Sequence, residues 1–250
     1  MFELETGVKP CAWKAILYGS PGLGKTYLAH QIKGHAFIDL EQGTKQLDAT
    51  RVPLGSVTNY SQFKDAVRFL IKQDQVTTIV IDTLDKLDQL VTQDVCEEYG
   101  KESMADFDWG KGYEAAKDVW RELIGIFNIC NAKGKNVLGI AHEDIVTFND
   151  PQTQSYDKYT IRLHRKYIDM VMAEFDAILF VNKEVVVKSR GGDKSGVEGK
   201  GKARALEGRA VVIGTTKDAS YDAKNRFGLE PIEDMSVEIF NKMNKFTGGN

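Results

Sequence analysis

The stretch Gly19-Ser20-Pro21-Gly22-Leu23-Gly24-Lys25-Thr26 decides the fold, because the apolar run AILY (15–18) precedes it and a helix-forming run follows it. It has the spacing G-x-x-x-x-G-K-[ST] in the strand, turn and helix context that gives this spacing its meaning. The glycines let the backbone wrap around a phosphate, and consecutive N–H groups and the helix N-terminus point at its oxygens. Lys25 brings an ammonium to the terminal phosphates, and the Thr26 hydroxyl offers one oxygen ligand to Mg²⁺, an ion shared with the phosphates. All eight residues, Gly19, Ser20, Pro21, Gly22, Leu23, Gly24, Lys25 and Thr26, are therefore candidates for holding ATP. The bland alternative is a glycine-rich strand-to-helix turn with an accidental lysine.

Working outward, the apolar strand TTIVID (77–82) ends in Asp82, which would set a carboxylate beside the cradle to hold Mg²⁺ directly or through water. Without the cradle, Asp82 would read as a helix cap. The next residue is Thr83, whereas many strand-type NTPases place a water-activating glutamate there. A substitute is Glu41, 16 residues after Lys25, which is about one helix and one return strand further on. At a neighbouring strand end it would orient and deprotonate the attacking water. Asp39 is its rival, and a solvated turn residue near Gly43 is the plain alternative. His142, at the end of NVLGIA (136–141), could contact the γ-phosphate or its water and pass on the nucleotide state. A strand-end histidine that is merely hydrogen-bonded is the alternative there.

Strand-like runs at 13–18, 36–39, 77–81, 136–141, 177–181 and 210–215 alternate with helical patterns at 25–32, 61–73, 83–99, 112–131 and 163–175. This is the order of an α/β fold with a mostly parallel sheet flanked by helices. Ser61 reads as the N-cap of the second helix. Residues 188–209 hold six glycines among seven basic and three acidic side chains and read as a loop between strands, since the apolar run 210–213 follows at once. The chain of 250 residues is 42% hydrophobic and 28% charged, as expected for a folded domain with a real core and not for a disordered or fibrous chain. A formal charge of -3 argues against nucleic-acid binding by bulk electrostatics, so a polyanion would have to meet a local patch. No apolar run reaches the roughly 20 residues of a membrane span, and the first residues have no signal-peptide pattern. Cys11, Cys96 and Cys130 form no C-x-x-C pair and read as reduced, buried thiols of a cytoplasmic protein, in a host cytosol if the chain is phage-encoded.

Four segments, GSPGLGKT (19–26), DLEQGTKQLD (39–48), TIVIDTLDKL (78–87) and AKNRFGLEP (223–231), resemble the RecA-like branch of P-loop ATPases, most closely the phage Sak-type single-strand-annealing ATPases. Lys224-Asn225-Arg226-Phe227-Gly228 is similar to the signature of bacterial RadA, and ring helicases of the DnaB type carry a similar basic pair. Lys224 and Arg226 are two apart, so in an extended segment both cations leave one face. Relatives use the equivalent pair as a trans-acting finger on a neighbouring subunit's nucleotide, while a solvated basic turn is the alternative. The resemblance implies a RecA-like P-loop NTPase core over 13–231, with 1–12 as an N-terminal extension and 232–250 as a C-terminal helix or tail. The segment before Trp13 reads as too short for the separate oligomerisation domain of such relatives, while the 22 residues after Gly228 and the missing glutamate after Asp82 count against AAA+ ATPases with a helical lid.

RecA-like folds carry DNA-contacting loops after the strands that follow the metal aspartate. In 142–167, Lys158, Arg162, Arg165 and Lys166 are interleaved with Tyr156, Tyr159 and Tyr167, so that cations can follow phosphates while aromatics stack on bases. The second candidate is the loop 188–209, with Lys188, Arg190, Lys200, Lys202 and Arg204. Each also reads as solvated surface. The segment DFDWGKGYE (106–114) reads as a lid or subunit contact, or as aromatics docked on the core. The function this implies is ATP-driven DNA recombination by a homo-oligomer, ring or filament, that binds single-stranded DNA and promotes annealing or strand pairing, with a single-strand-binding protein as a further partner. A DNA-translocating motor and a nucleotide-gated loading protein are the rival readings.

Overall fold

The computed structural model describes residues 11–149, 154–183 and 210–246, together with 4, 6 and 7. β-Branched and aromatic runs form the strands: β1 (Lys14–Gly19) leads through the cradle into helix α1 (Lys25–His30), and β2 (His35–Asp39) precedes α2 (Tyr60–Ile71). β3 (Thr78–Asp82) is followed by α3 (Leu84–Glu98) and α4 (Lys111–Ala132). β4 (Asn136–Ala141) leads into a separate antiparallel hairpin, β5 (Glu143–Phe148) and β6 (Tyr156–Ile161). Then come α5 (Ile168–Glu174), β7 (Ala177–Lys183), β8 (Val211–Gly214), β9 (Lys224–Asn225), β10 (Ile232–Asp234) and α6 (Glu238–Phe246).

The main sheet runs β10-β8-β7-β1-β4-β3-β2, with β9 also paired to β7. The strands β7, β1, β4, β3 and β2 are mutually parallel, and β8, β9 and β10 pair antiparallel with their neighbours. This is the mostly parallel, helix-flanked architecture expected of a RecA-like core. Its central strands are covered on both faces, which is why they read as unbroken apolar runs without alternation. One face packs Phe63, Trp120, Phe127 and Phe175 of the α2–α5 side, and the other packs Trp13 with Leu28, Phe240 and Met243 of α1 and α6. Residues 232–246 contribute β10 to the sheet and, through α6, a ring stacked on Trp13.

The register places the site. Gly19 lies beside Val181, Tyr18 beside Ala141, Ile140 beside Asp82, and Asp82 beside Asp39. The carboxyl ends of five strands thus share one edge, where ligands of open α/β sheets bind.

Three local expectations are corrected. Helix α2 is capped by Asn59, whose extended backbone lets its side chain accept from the Gln62 N–H, while Ser61 lies inside the first turn. Cys11 is exposed, and only Cys96 and Cys130 are buried; all three are free thiols. The described residues of 142–167 form a two-stranded ribbon, 143–148 with 156–161, followed by a turn, and α5 begins at Ile168 instead of Leu163. Among the described residues no helix is long and apolar enough to cross a membrane.

Candidate functional site

The cradle closes on backbone that only glycine permits. A Cβ at Gly19 would come within 2.2 Å of the Val181 carbonyl oxygen, and Gly24 turns into α1 with φ 87°. Lys25 is buried, and its Nζ donates to the carbonyls of Gly19 (2.6 Å) and Ser20 (2.8 Å). Burial lowers its pKa, opposed by the surrounding carboxylates of Glu143, Asp82, Asp85 and Glu41. A buried ammonium inside a ring of acids is held ready for a phosphate, and a cleft of about 450 Å³ opens beside it, lined by Thr26, Glu41, Asp82 and His142 among others.

Thr26 Oγ1 donates to Asp82 Oδ2 at 2.8 Å, so the two expected Mg²⁺ ligands already meet. Burial pushes the Asp82 carboxyl up to about 6; Asp39 and Glu41 add to this, while the Thr26 hydrogen bond and Lys25 oppose it. A hydroxyl and a buried carboxylate form an oxygen-only donor pair that suits Mg²⁺. The ion would neutralise phosphate charge there and polarise the oxygens it shares with the nucleotide. The Asp82–Thr83 peptide is cis.

Asp39 and Glu41 have separate tasks. The Asp39 carboxylate accepts from the backbone N–H groups of Glu41, Gly43 and Thr44 and from Thr44 Oγ1 at 2.6 Å, so it shapes the turn that carries Glu41. Glu41 itself is exposed to the cleft, and its Oε1 accepts from Thr83 Oγ1 at 2.9 Å. Thr83 also caps α3 by accepting from the Lys86 N–H, which ties Glu41 to the end of the metal strand. His142 donates its backbone N–H to Asp85 Oδ2 (2.9 Å), with its Nδ1 3.5 Å from the same oxygen. The fold thus brings Lys25, Thr26, Glu41, Asp82 and His142 to one cleft.

Sequence reasoning missed Glu143, which follows His142 and accepts from Ser20 Oγ at 2.5 Å. The signal was the doubled polar ending His142-Glu143 of a buried strand. The finger pair lies elsewhere. Lys224 Nζ donates to the carbonyls of Met172 (3.2 Å) and Ala173 (2.7 Å), and Arg226 pairs with Asp176 at 3.1 Å. Of the candidate DNA contacts, Lys158 pairs with Asp222 at 2.8 Å and lies over the Phe148 ring, while Arg162 donates to the Glu143 carbonyl. Lys166 donates to the Gly110 carbonyl and pairs with Glu114. Lys188, Arg190, Lys200, Lys202 and Arg204 lie outside the described residues. In the segment around Trp109 the two readings divide: Trp109 is 98% exposed, whereas Tyr113 stacks on His164 at 3.7 Å.

A family model described as an AAA domain matches residues 12–227. That match covers the cradle and the five-strand edge and ends before α6. The SPbeta prophage-derived uncharacterized protein YorG of Bacillus subtilis (strain 168) is 26% identical over 181 residues, 70% of this chain and 52% of that protein. The chain thus spans about half the length of that curated relative. Among solved structures, the KaiC-like protein of Pyrococcus horikoshii OT3 aligns over 90% of this chain and 91% of its own, with 12% identity and a TM-score of 0.47. The flagellar accessory protein FlaH from Methanocaldococcus jannaschii aligns over 86% and 80%, with 11% identity and a TM-score of 0.37.

Proposed function

The chain belongs to that AAA domain family of P-loop ATPases, and from this premise we propose that it is a Mg²⁺-dependent ATPase of DNA recombination, RecA-like in mechanism, which binds single-stranded DNA and promotes annealing or strand pairing in phage or mobile-element replication. The observation that carries the ATPase reading is the meeting of Lys25, the Thr26–Asp82 pair and the Thr83-held Glu41 in one cleft. In this reading Lys25 meets the β- and γ-phosphates, Thr26 and Asp82 hold Mg²⁺, Glu41 takes a proton from the attacking water, and His142 reports the γ-phosphate to the hairpin that follows it. The DNA part rests on the Sak-type and RadA-like motifs, on the prophage origin of the relative, and on basic and aromatic side chains around the β5–β6 hairpin. The protein works in this reading as a cytoplasmic homo-oligomer.

The deciding experiment measures ATP turnover with and without single-stranded DNA, alongside oligomer size by light scattering. A several-fold DNA stimulation in an oligomer is the expected result. Turnover indifferent to DNA would leave an ATPase of the nucleotide-gated loading type, and processive unwinding would identify a motor. No Mg²⁺-dependent turnover or ATP binding under any condition would remove the ATPase reading itself.

A further inference from the structure

Glu143 stands in the cradle without any part in the chemistry described above. Its Oε1 accepts the Ser20 hydroxyl proton at 2.5 Å, while its Oε2 is buried with no hydrogen-bond partner. A buried carboxylate oxygen left unpaired is unfavourable, so the position is poorly explained by stability alone. Of the carboxylates around Lys25, Glu143 acts on its ammonium most strongly. The same ammonium and the same loop are what a terminal phosphate needs. Two anions thus compete for one lysine and one stretch of cradle, and at this range like charges exclude one another.

Resting on the reading that the cradle binds ATP, we propose that Glu143 is the specificity-determining residue for the terminal phosphate: a nucleoside triphosphate must displace its carboxylate from Ser20, a diphosphate need not, and the displacement moves the root of the β5–β6 hairpin. The mechanical link is in the backbone. Glu143 is the first residue of β5, pairs with Ile161, and has its carbonyl held by Arg162 Nη2 at 3.0 Å. Beyond it the hairpin carries the exposed apolar side chains Ile145, Val146 and Phe148. A shift at residue 143 would therefore re-aim an apolar surface according to which nucleotide is bound.

The test compares wild type with Glu143→Gln, which keeps an acceptor for Ser20 while removing the charge, and with Glu143→Ala. Calorimetry gives the affinities for ATPγS and for ADP, and hydrogen exchange follows residues 143–161 with each nucleotide. The expected result is ATPγS binding about tenfold or more tighter in Glu143→Gln, with ADP affinity changed less than about twofold. In wild type the hairpin's exchange should differ between ATPγS and ADP, and in both variants that difference should vanish. Equal changes for the two nucleotides, or none, would overturn the proposal, as would unchanged affinities with lost hydrolysis, which would make Glu143 a proton acceptor. Wild-type protein that binds neither nucleotide would instead remove the ATP reading beneath it.

Discussion

Thr83 occupies the place where a glutamate would activate water, and its hydroxyl instead holds one that comes from the end of the adjacent strand, β2. The place of Glu41 at the cleft was legible from its distance beyond Lys25, but its separation from Asp39 was not: which acid turns inward depends on the four donors that residues 41–44 give to Asp39. With Asp39 fully engaged, the two remaining acids should fail in different ways. Glu41→Gln should keep ATP affinity within a few-fold and lower kcat by about 10²-fold or more, the scale of a lost general base. Asp82→Asn should instead raise the Mg²⁺ concentration needed for half-maximal turnover by about tenfold. Steady-state rates over a Mg²⁺ titration separate the two. A Glu41→Gln protein with normal turnover would return the base to another group. Lys25→Ala, with neither buried ammonium nor phosphate partner, should lose turnover altogether while keeping its circular-dichroism spectrum.

Helices α3, α4 and α5 are locked to one another at a single oxygen. Asp88 Oδ1 accepts from Trp120 Nε1 at 2.8 Å and from Tyr167 Oη at 2.6 Å. The helical periodicity of 83–99 and 112–131 was plain in the sequence, but an acid on the buried stripe of α3 carries no mark of its partners, which come from 32 and 79 residues away. The hairpin between α4 and α5 escaped for a related reason: EDIVTF and YDKYTI break strict alternation, with Glu143-Asp144, Ile145-Val146 and Asp157-Lys158 falling in like pairs, so the strand signal is lost and the stretch reads as basic and aromatic. Burial raises the Asp88 carboxyl above its ordinary 3.8, outweighing its two hydrogen bonds. The protonated form is thus the one the fold prefers. Its contribution to stability is complete below 3.8 and is lost as pH rises through the raised value. Asp88→Asn keeps the accepting oxygen and stays neutral, so it should melt with wild type in acid and above it at pH 8, by about 2–4 °C for each kcal/mol relieved. Asp88→Ala should cost about 2–4 kcal/mol in acid, because two buried donors lose their acceptor, and less at pH 8, where wild type has lost the stability of the protonated carboxyl. Melting curves from pH 3.5 to 8 check both. A wild type that outlasts Asp88→Asn at pH 8 would show the ionised form to be the favoured one.

For the molecule as a whole, the alternation of runs announced a parallel sheet, while the strand order and the antiparallel margin of β8, β9 and β10 depend on long-range pairing that local sequence does not encode. That margin decides how Lys224 and Arg226 can work. Asp176, which holds Arg226, also binds the backbone N–H of Lys14 at the start of β1, and the cradle begins at Gly19, about 16 Å further along that strand. The pair therefore stands at the opposite end of the sheet from its own nucleotide cleft and can serve only a neighbour's cleft or its own surface. The exposed Arg226–Asp176 pair is worth about 0–1 kcal/mol, too little to keep Arg226 from a phosphate offered across an interface. In the trans arrangement Arg226→Ala should bind ATP normally and lose about 10²-fold or more in kcat. Lys25→Ala has a dead cradle but an intact finger. In a one-to-one mixture about a quarter of the interfaces would unite an Arg226→Ala cradle with a Lys25→Ala finger, if the subunits join head to tail at random. Turnover should then rise well above both parents and peak near equal proportions, which a titration of one variant into the other reads directly. A mixture that co-assembles by light scattering yet stays at the parental rate at every ratio would confine the pair to its own subunit's surface.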